Sequence, residues 1–226
     1  MGLSQMKFEY LEAQIVVTAE AHNPTVLNPD FLSFNGIVRI EWGWKTKEPI
    51  ITTPAFSQVT YENDVWIAVD PQRMRVVQQV FDGNPANSRI ADITEAYSSV
   101  LRHVKYTAVG VNFRIYLPMS DPDEYIKETF VKKGPWYTAA RTPMTAALKL
   151  VYSLPSDGRL LIDLNSGTVN RSGGKTEKAL IIGSNFHRDC GANSAEDVGK
   201  HVRHFCDDWK RNLDLVTEIL SQEGKP

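Results

Sequence analysis

From residue 11 to residue 20, Leu11, Ala13, Ile15, Val17 and Ala19 alternate with Glu12, Gln14, Val16, Thr18 and Glu20. A period of two predicts a strand with one buried and one wet face. Val109, Val111, Phe113, Ile115 and Leu117, set against Asn112, Arg114 and Tyr116, predict a second strand of the same kind. Behind Thr53-Pro54, apolar runs at about 55–61, 65–70 and 73–80 are separated by Glu62-Asn63-Asp64 and Asp70-Pro71-Gln72, and read as a meander of three strands. Behind Thr142-Pro143 the matching runs fall near 145–154, 159–164 and 177–186. Leu154-Pro155-Ser156-Asp157-Gly158 reads as a turn, and 165–176, with Gly167, Gly173 and Gly174, as a flexible connection.

The period lengthens in two places. Ile90, Ile93, Tyr97, Val100, Leu101 and Val104 form one stripe of a helix over about 88–104. Val198, Val202, Phe205, Trp209, Val216 and Leu220 do the same over about 195–221, with Ser194 as its cap and Glu196 and Asp197 in its first turn. Short helices start at Asn28-Pro29 and at Asp121-Pro122, the latter with Glu124 in the capping-box position.

This order is written twice. A strand leads to Asn28-Pro29-Asp30 in one half and to Asp121-Pro122-Asp123 in the other; a connector with Lys and Trp follows, then Thr-Pro, then Ala86-Asn87-Ser88 or Ala192-Asn193-Ser194 before the closing helix. The expectation is an α+β chain forming a single domain, residues 1–226, of two pseudo-equivalent β-α-β-β-β-α halves (about 8–104 and 106–221). They share a curved, mostly antiparallel sheet with the long helices on one face.

That order of elements resembles the duplicated TATA-binding-protein-like fold, a curved sheet carrying helices on one side, although fold alone licenses no function. The stretch from His22-Asn23-Pro24 through Asn28-Pro29-Asp30-Phe31-Leu32, with the long final amphipathic helix, is similar to a sporadically distributed prokaryotic family of uncharacterised proteins. The patchy distribution implied by that resemblance points to mobile or defence-associated genes, and no motif of known role comes with it.

An apolar share of 42% with 10% aromatics supplies a core and leaves no segment biased enough to be disordered. The 25 Lys and Arg against 27 Asp and Glu leave a net charge of −2, so the chain exerts no general pull on nucleic acid or anionic membrane. Cys190 and Cys206 are too few for a disulfide framework. No apolar run has the length of a membrane span, and the first seven residues have no signal core. A cytoplasmic protein without membrane contact is expected.

The chemistry of single motifs is thin. His187, Cys190 and His201 could form a zinc site, yet their spacing matches no closed zinc motif, and His204 and Cys206 point about 160° apart on a helix. Ser172-Gly173-Gly174-Lys175-Thr176 lacks the earlier glycine of a phosphate loop, since Val169 stands there, and it precedes a strand where a helix is needed. Asp189 beside His187 makes an acid-base pair with no nucleophile to serve. No catalytic residues, metal or cofactor are expected.

The aromatic-basic connectors are the stronger signal because they occur twice: Trp42, Trp44, Lys45 and Lys47 in one half, Lys132, Lys133, Trp136 and Tyr137 in the other. Such rings either pin the connectors to their own core or form a pseudo-symmetric partner-binding surface. A third candidate is the wet sheet face, where Arg73, Arg75, Arg114, Lys149 and Arg159 could meet phosphates and Tyr116 could stack on a base. The sequence therefore points to a non-enzymatic interaction protein, an accessory subunit of a larger prokaryotic assembly that binds a protein partner or a second copy of itself. A nucleic-acid-binding module is the alternative, and a metal-dependent enzyme centred on His187, Asp189 and His201 the second alternative.

Overall fold

Ala13, Ile15 and Val17 are fully buried while their neighbours are not, because strand β1 (Glu9–Ala19) lies in the middle of a nine-stranded sheet with only one face covered. The computed structural model describes residues 7–79, 82–138, 140–154, 158–170 and 174–221. The other strands are β2 (Thr46–Thr52), β3 (Ser57–Tyr61), β4 (Val65–Asp70), β5 (Arg73–Gln78), β6 (Tyr106–Pro118), β7 (Leu148–Ser153), β8 (Arg159–Asn170) and β9 (Thr176–Asp189). Their order across the sheet is β2-β3-β4-β5-β1-β6-β9-β8-β7. Every neighbouring pair is antiparallel.

The helices are α1 (Pro29–Phe34), α2 (Ile90–Val100), α3 (Pro122–Phe130), α4 (Ser194–Val202) and α5 (Phe205–Ser221). Leu32, Ile93, Ile126, Val198 and Val216, one from each helix, join the same core as Ile15, Ile67, Val76, Val111, Ile162 and Ile182 from one face of the sheet. The chain is thus α+β, with the helices on that face. Asn28 caps α1 by accepting from the Phe31 N–H at 2.8 Å, and Asp121 caps α3 through the Glu124 N–H at 3.0 Å. Among the described residues no helix is long and apolar enough to cross a membrane.

Several boundaries differ from the sequence reading. β2 is a strand that the sequence does not announce: Thr46 and Lys47 fall in the connector, Pro49 interrupts Thr46–Thr52 and no alternation shows; an edge strand tolerates both. The segment read as a flexible connection is strand as far as Asn170, since twelve residues of β8 pair in unbroken register with β9. The long final helix is two helices. His204 N–H turns back to the His201 carbonyl at 3.3 Å, a tighter three-residue step, and α4 then packs on α2 and β6 while α5 packs on β6 and the turn at Pro85–Asn87. Ser194 is not the cap: Asn193 holds that position, and the Ser194 hydroxyl accepts from the Tyr106 N–H at 3.2 Å. The expected leader-free residues 1–6, the end of the strand at Val80, the turn residues 155–157 and Ser172-Gly173 lie outside the described residues.

The open face is not uniformly wet. Tyr116, Val169 and Ala179 are buried there with Leu11 and Ile181 against them, and Ala68 and Val77 are buried beneath their neighbours.

Candidate functional site

The first connector is shaped by a short helix that runs out of core to cover. After α1 the chain turns through Gly36 at φ +66, and the N–H groups of Ile37 and Val38 both donate to the Leu32 carbonyl, at 2.9 and 3.0 Å. Burial of Ile37 and Val38 fixes this return, which leaves Phe34 86% and Ile40 79% exposed. The chain then makes a 3-10 turn over Ile40–Trp42 and reverses at Gly43, again at φ +66. Trp42 packs on Trp44 at 5.1 Å between ring centroids, and Trp44 on Tyr61 at 5.4 Å. The guanidinium groups of Arg39 and Arg89 lie 5.9 and 5.8 Å from the Trp42 ring.

Both tryptophans are therefore half-buried and anchored. Trp44 forms one wall of an open groove of about 460 Å³, with Ser33, Val38, Ile40, Lys45 and Tyr61 among its lining residues. Phe34 and Ile40 were not singled out by sequence reasoning. The available signal was density: Phe31, Leu32, Phe34, Ile37, Val38 and Ile40 are more apolar side chains than a six-residue helix and its turn can bury.

In the second connector Trp136 is 56% exposed and lies over Gly134, where an added Cβ would stand 2.7 Å from the indole. The Lys133 ammonium sits 5.2 Å from the Tyr137 ring centroid and 4.0 Å from Glu128. Lys45, Lys47 and Lys132 are exposed. The first connector enters β2 and the second precedes β7, the two opposite edges in the strand order. They occupy separate parts of the molecule.

By register, all six candidates of the open face do share that face. Their availability differs. Arg73 Nε lies 3.1 Å and Arg75 Nη2 3.8 Å from the same Asp70 carboxylate oxygen, and Arg75 also covers the Trp66 ring at 5.8 Å. Lys149 is 3.7 Å from Asp163. Tyr116, expected as a stacking ring, is buried in the open-face cluster and donates its hydroxyl to Glu9 at 2.7 Å, so it offers no face to a base. Arg114 and Arg159 are exposed. Between them, Asn185 donates to Asn112 at 2.7 Å above Gly110, where a side chain would collide with that amide.

The histidines and cysteines are occupied separately. His187 Nε2 is 2.9 Å from Asp189 Oδ1, while His201 Nε2 is 3.0 Å from the Asp189 carbonyl. Burial pushes the Cys190 thiol up to about 12, helped by Asp197 and Asp189, which leaves it a protonated, weakly reactive thiol near neutrality. His204 and Cys206 are exposed. No three His, Cys, Asp or Glu side chains among the described residues are placed to hold a metal ion. Nearby, Arg188 on β9 forms a buried bidentate pair with Asp208 of α5, at 2.7 and 2.6 Å. Of the apparent phosphate loop, Lys175 is exposed and Thr176 opens β9, so no helix N-terminus follows it.

No family model, curated protein or solved structure matches the chain, so the geometry of its own surfaces carries the functional reading.

Proposed function

We propose that the chain is a non-enzymatic interaction protein, an accessory subunit of a larger prokaryotic assembly acting in the cytoplasm. The observation that carries this reading is the exposure of Ile40 in the groove walled by Trp44 and Tyr61, together with that of Phe34 at the end of α1, next in sequence to the lining residue Ser33. Large apolar side chains presented together with anchored aromatic rings mark contact sites, because they offer much area for few rotors. The occupant is a segment of a partner protein that inserts an apolar side chain and sets carboxylates beside it. Lys45 and Lys47, exposed next to the groove, form no ion pair among the described residues and suit that charge.

Two pseudo-equivalent halves sharing one curved sheet are part of the same proposal. Its support is the strand order: β1 and β6 lie side by side at the centre, each flanked by the last strand of the meander that follows it, β5 and β9. The likeness to a TATA-binding-protein-like fold and a defence-associated setting belong to the proposal as well. Against a nucleic-acid role stand the acidic partners of Arg73, Arg75 and Lys149 and the burial of Tyr116.

The test compares capture from nuclease-treated native lysate by the wild-type chain and by a Phe34→Ser, Ile40→Asp variant. Both positions are exposed, so circular dichroism is expected to stay unchanged. A defined protein held by the wild type and weakened by about tenfold or more in the variant, about 1.4 kcal/mol, supports the reading. Equal capture by both chains, or recovery of nucleic acid alone when nuclease is omitted, refutes it.

A further inference from the structure

The two edges of the sheet are built differently. β2 is a protected edge: Pro49 has no N–H, the register to β3 shifts between Lys47 and Ile51, and the Glu48 carboxylate takes the Ile50 N–H at 2.9 Å. β7 has none of these devices. Its six residues pair with β8 without a shift, it contains no proline, and its one charge, Lys149, is drawn back to Asp163.

The hydrogen-bond phase of β7 follows from one contact. Leu154 N–H donates to the Gly158 carbonyl at 2.8 Å, next to the Ser153 and Arg159 pair. In an antiparallel ladder this directs the backbone groups of 154, 152, 150 and 148 towards β8, and those of Lys149, Val151 and Ser153 outwards. Val151, at the middle of the outward set, is 61% exposed on the open face. On the covered face an open groove of about 610 Å³ runs beside the same edge, between Tyr152 and Leu160 on the sheet and Lys210, Asp214, Leu215 and Glu218 on α5.

We infer that β7 is the dimerisation edge of this protein, and that its occupant is β7 of a second copy, antiparallel about a two-fold axis through Val151. That register places Val151 opposite Val151 of the partner subunit as a doubly hydrogen-bonded pair. Lys149 then meets Ser153 of the partner subunit, so no like charges face each other. Leu150 falls opposite Tyr152 of the partner subunit on the covered face, where the groove receives both side chains. The groove wall supports a two-fold: along α5 it reads Lys210 and Arg211, then Asp214 and Glu218, an order that the axis inverts so that bases approach acids. The result is a continuous sheet through two chains, each β7 becoming interior. This surface is remote in strand order from the groove at β2 and does not depend on the function proposed for it.

The test is the mass in solution by light scattering, expected at twice the 25.4 kDa of the chain. Val151→Lys and Val151→Pro are both expected to give monomers with the circular dichroism of the wild type, since the side chain is exposed and its N–H points outwards. Site-directed crosslinking fixes the register. In a doubly hydrogen-bonded pair the Cα atoms stand about 5.5 Å apart, inside the disulfide range of roughly 4.4–6.8 Å, so Val151→Cys crosslinks under mild oxidation. Lys149→Cys does not, because its own copy lies roughly 14 Å away along the strand. A monomeric wild type at high micromolar concentration overturns the inference, as does a Val151→Lys chain that remains dimeric. Crosslinking of Lys149→Cys as fast as Val151→Cys overturns it too.

Discussion

Replacing Asp208 by Leu strands a guanidinium. Asp208 is buried and Arg188 largely so, and their two charge-assisted hydrogen bonds of 2.7 and 2.6 Å tie the end of β9 to the first turn of α5. Burial raises the proton affinity of the Asp208 carboxyl even though Arg188 pulls the other way, so desolvation outweighs what the attraction gains. The pair then contributes little net stability while each half depends strongly on the other. Asp208→Leu or Arg188→Met alone is expected to lose about 3–5 kcal/mol, a fall in Tm of roughly 6–20 °C for a chain of this size. The double variant Arg188→Met, Asp208→Leu is expected within about 1 kcal/mol of the wild type, with Met and Leu filling the vacated space. Urea unfolding of all four proteins at pH 7, followed by tryptophan fluorescence and circular dichroism, gives the coupling energy from the cycle. A single variant that loses less than about 1 kcal/mol, or a double variant no better than the worse single, refutes this account.

Burial lowers the proton affinity of both His22 and His201, so the unfolded chain takes up protons first as the pH falls below about 6.5. Stability is therefore fully present above that pH and declines below it, by up to about 1.4 kcal/mol per unit for each histidine; urea midpoints against pH check this, and His22→Gln is expected to flatten the slope. Gly110→Ala is expected to cost about 1–3 kcal/mol, since the new Cβ would stand 2.9 Å from the Asn185 amide that bonds Asn112. Gly183→Ala meets no atom within 4 Å and is expected to gain about 0.5–1 kcal/mol, so equal melting shifts for the two would contradict the packing described. Trp44→Ala, which loses its packing on Trp42 and Tyr61, is expected to cost about 2 kcal/mol or more, whereas Trp136→Ala is expected within about 0.5 kcal/mol of the wild type by thermal melting.

The alternation around Ile15 and Val111 was legible because each strand has one covered face, and that pattern is the direct trace of burial. The helix caps at Asn28 and Asp121 were legible because the cap side chain acts within three residues. β2 escaped for the opposite reason: an edge strand with Thr46, Lys47 and Glu48 exposed has no burial pattern to read. The break between α4 and α5 left no mark either, since Val202 and Phe205 continue one apolar stripe across it. Among the candidate residues, Tyr116 was misread because only the tertiary arrangement gathers it into one buried cluster with Val169 and Ala179. Acidic partners such as Asp163 for Lys149 are cross-strand neighbours, visible only once the register is known. Phe34 and Ile40 look in sequence like any core residues. They are exposed because Ile37 and Val38 take the available core between them.

The central place of β1 sets an order on the birth of the molecule. Pairing with β5 completes one flank of β1, but the other flank faces β6, so Ala13 waits for Phe113 and Ile15 for Val111. Contacts so distant along the chain close slowly, because the entropy of the intervening loop is lost before they repay it. On the ribosome the N-terminal portion therefore emerges with a long unpaired edge in its middle, next to half-formed apolar packing. Such an edge is a template for another nascent chain or for a chaperone. Emergence of β6 from the ribosome is the step that removes it, and slowed elongation before that point is expected to favour aggregation during synthesis.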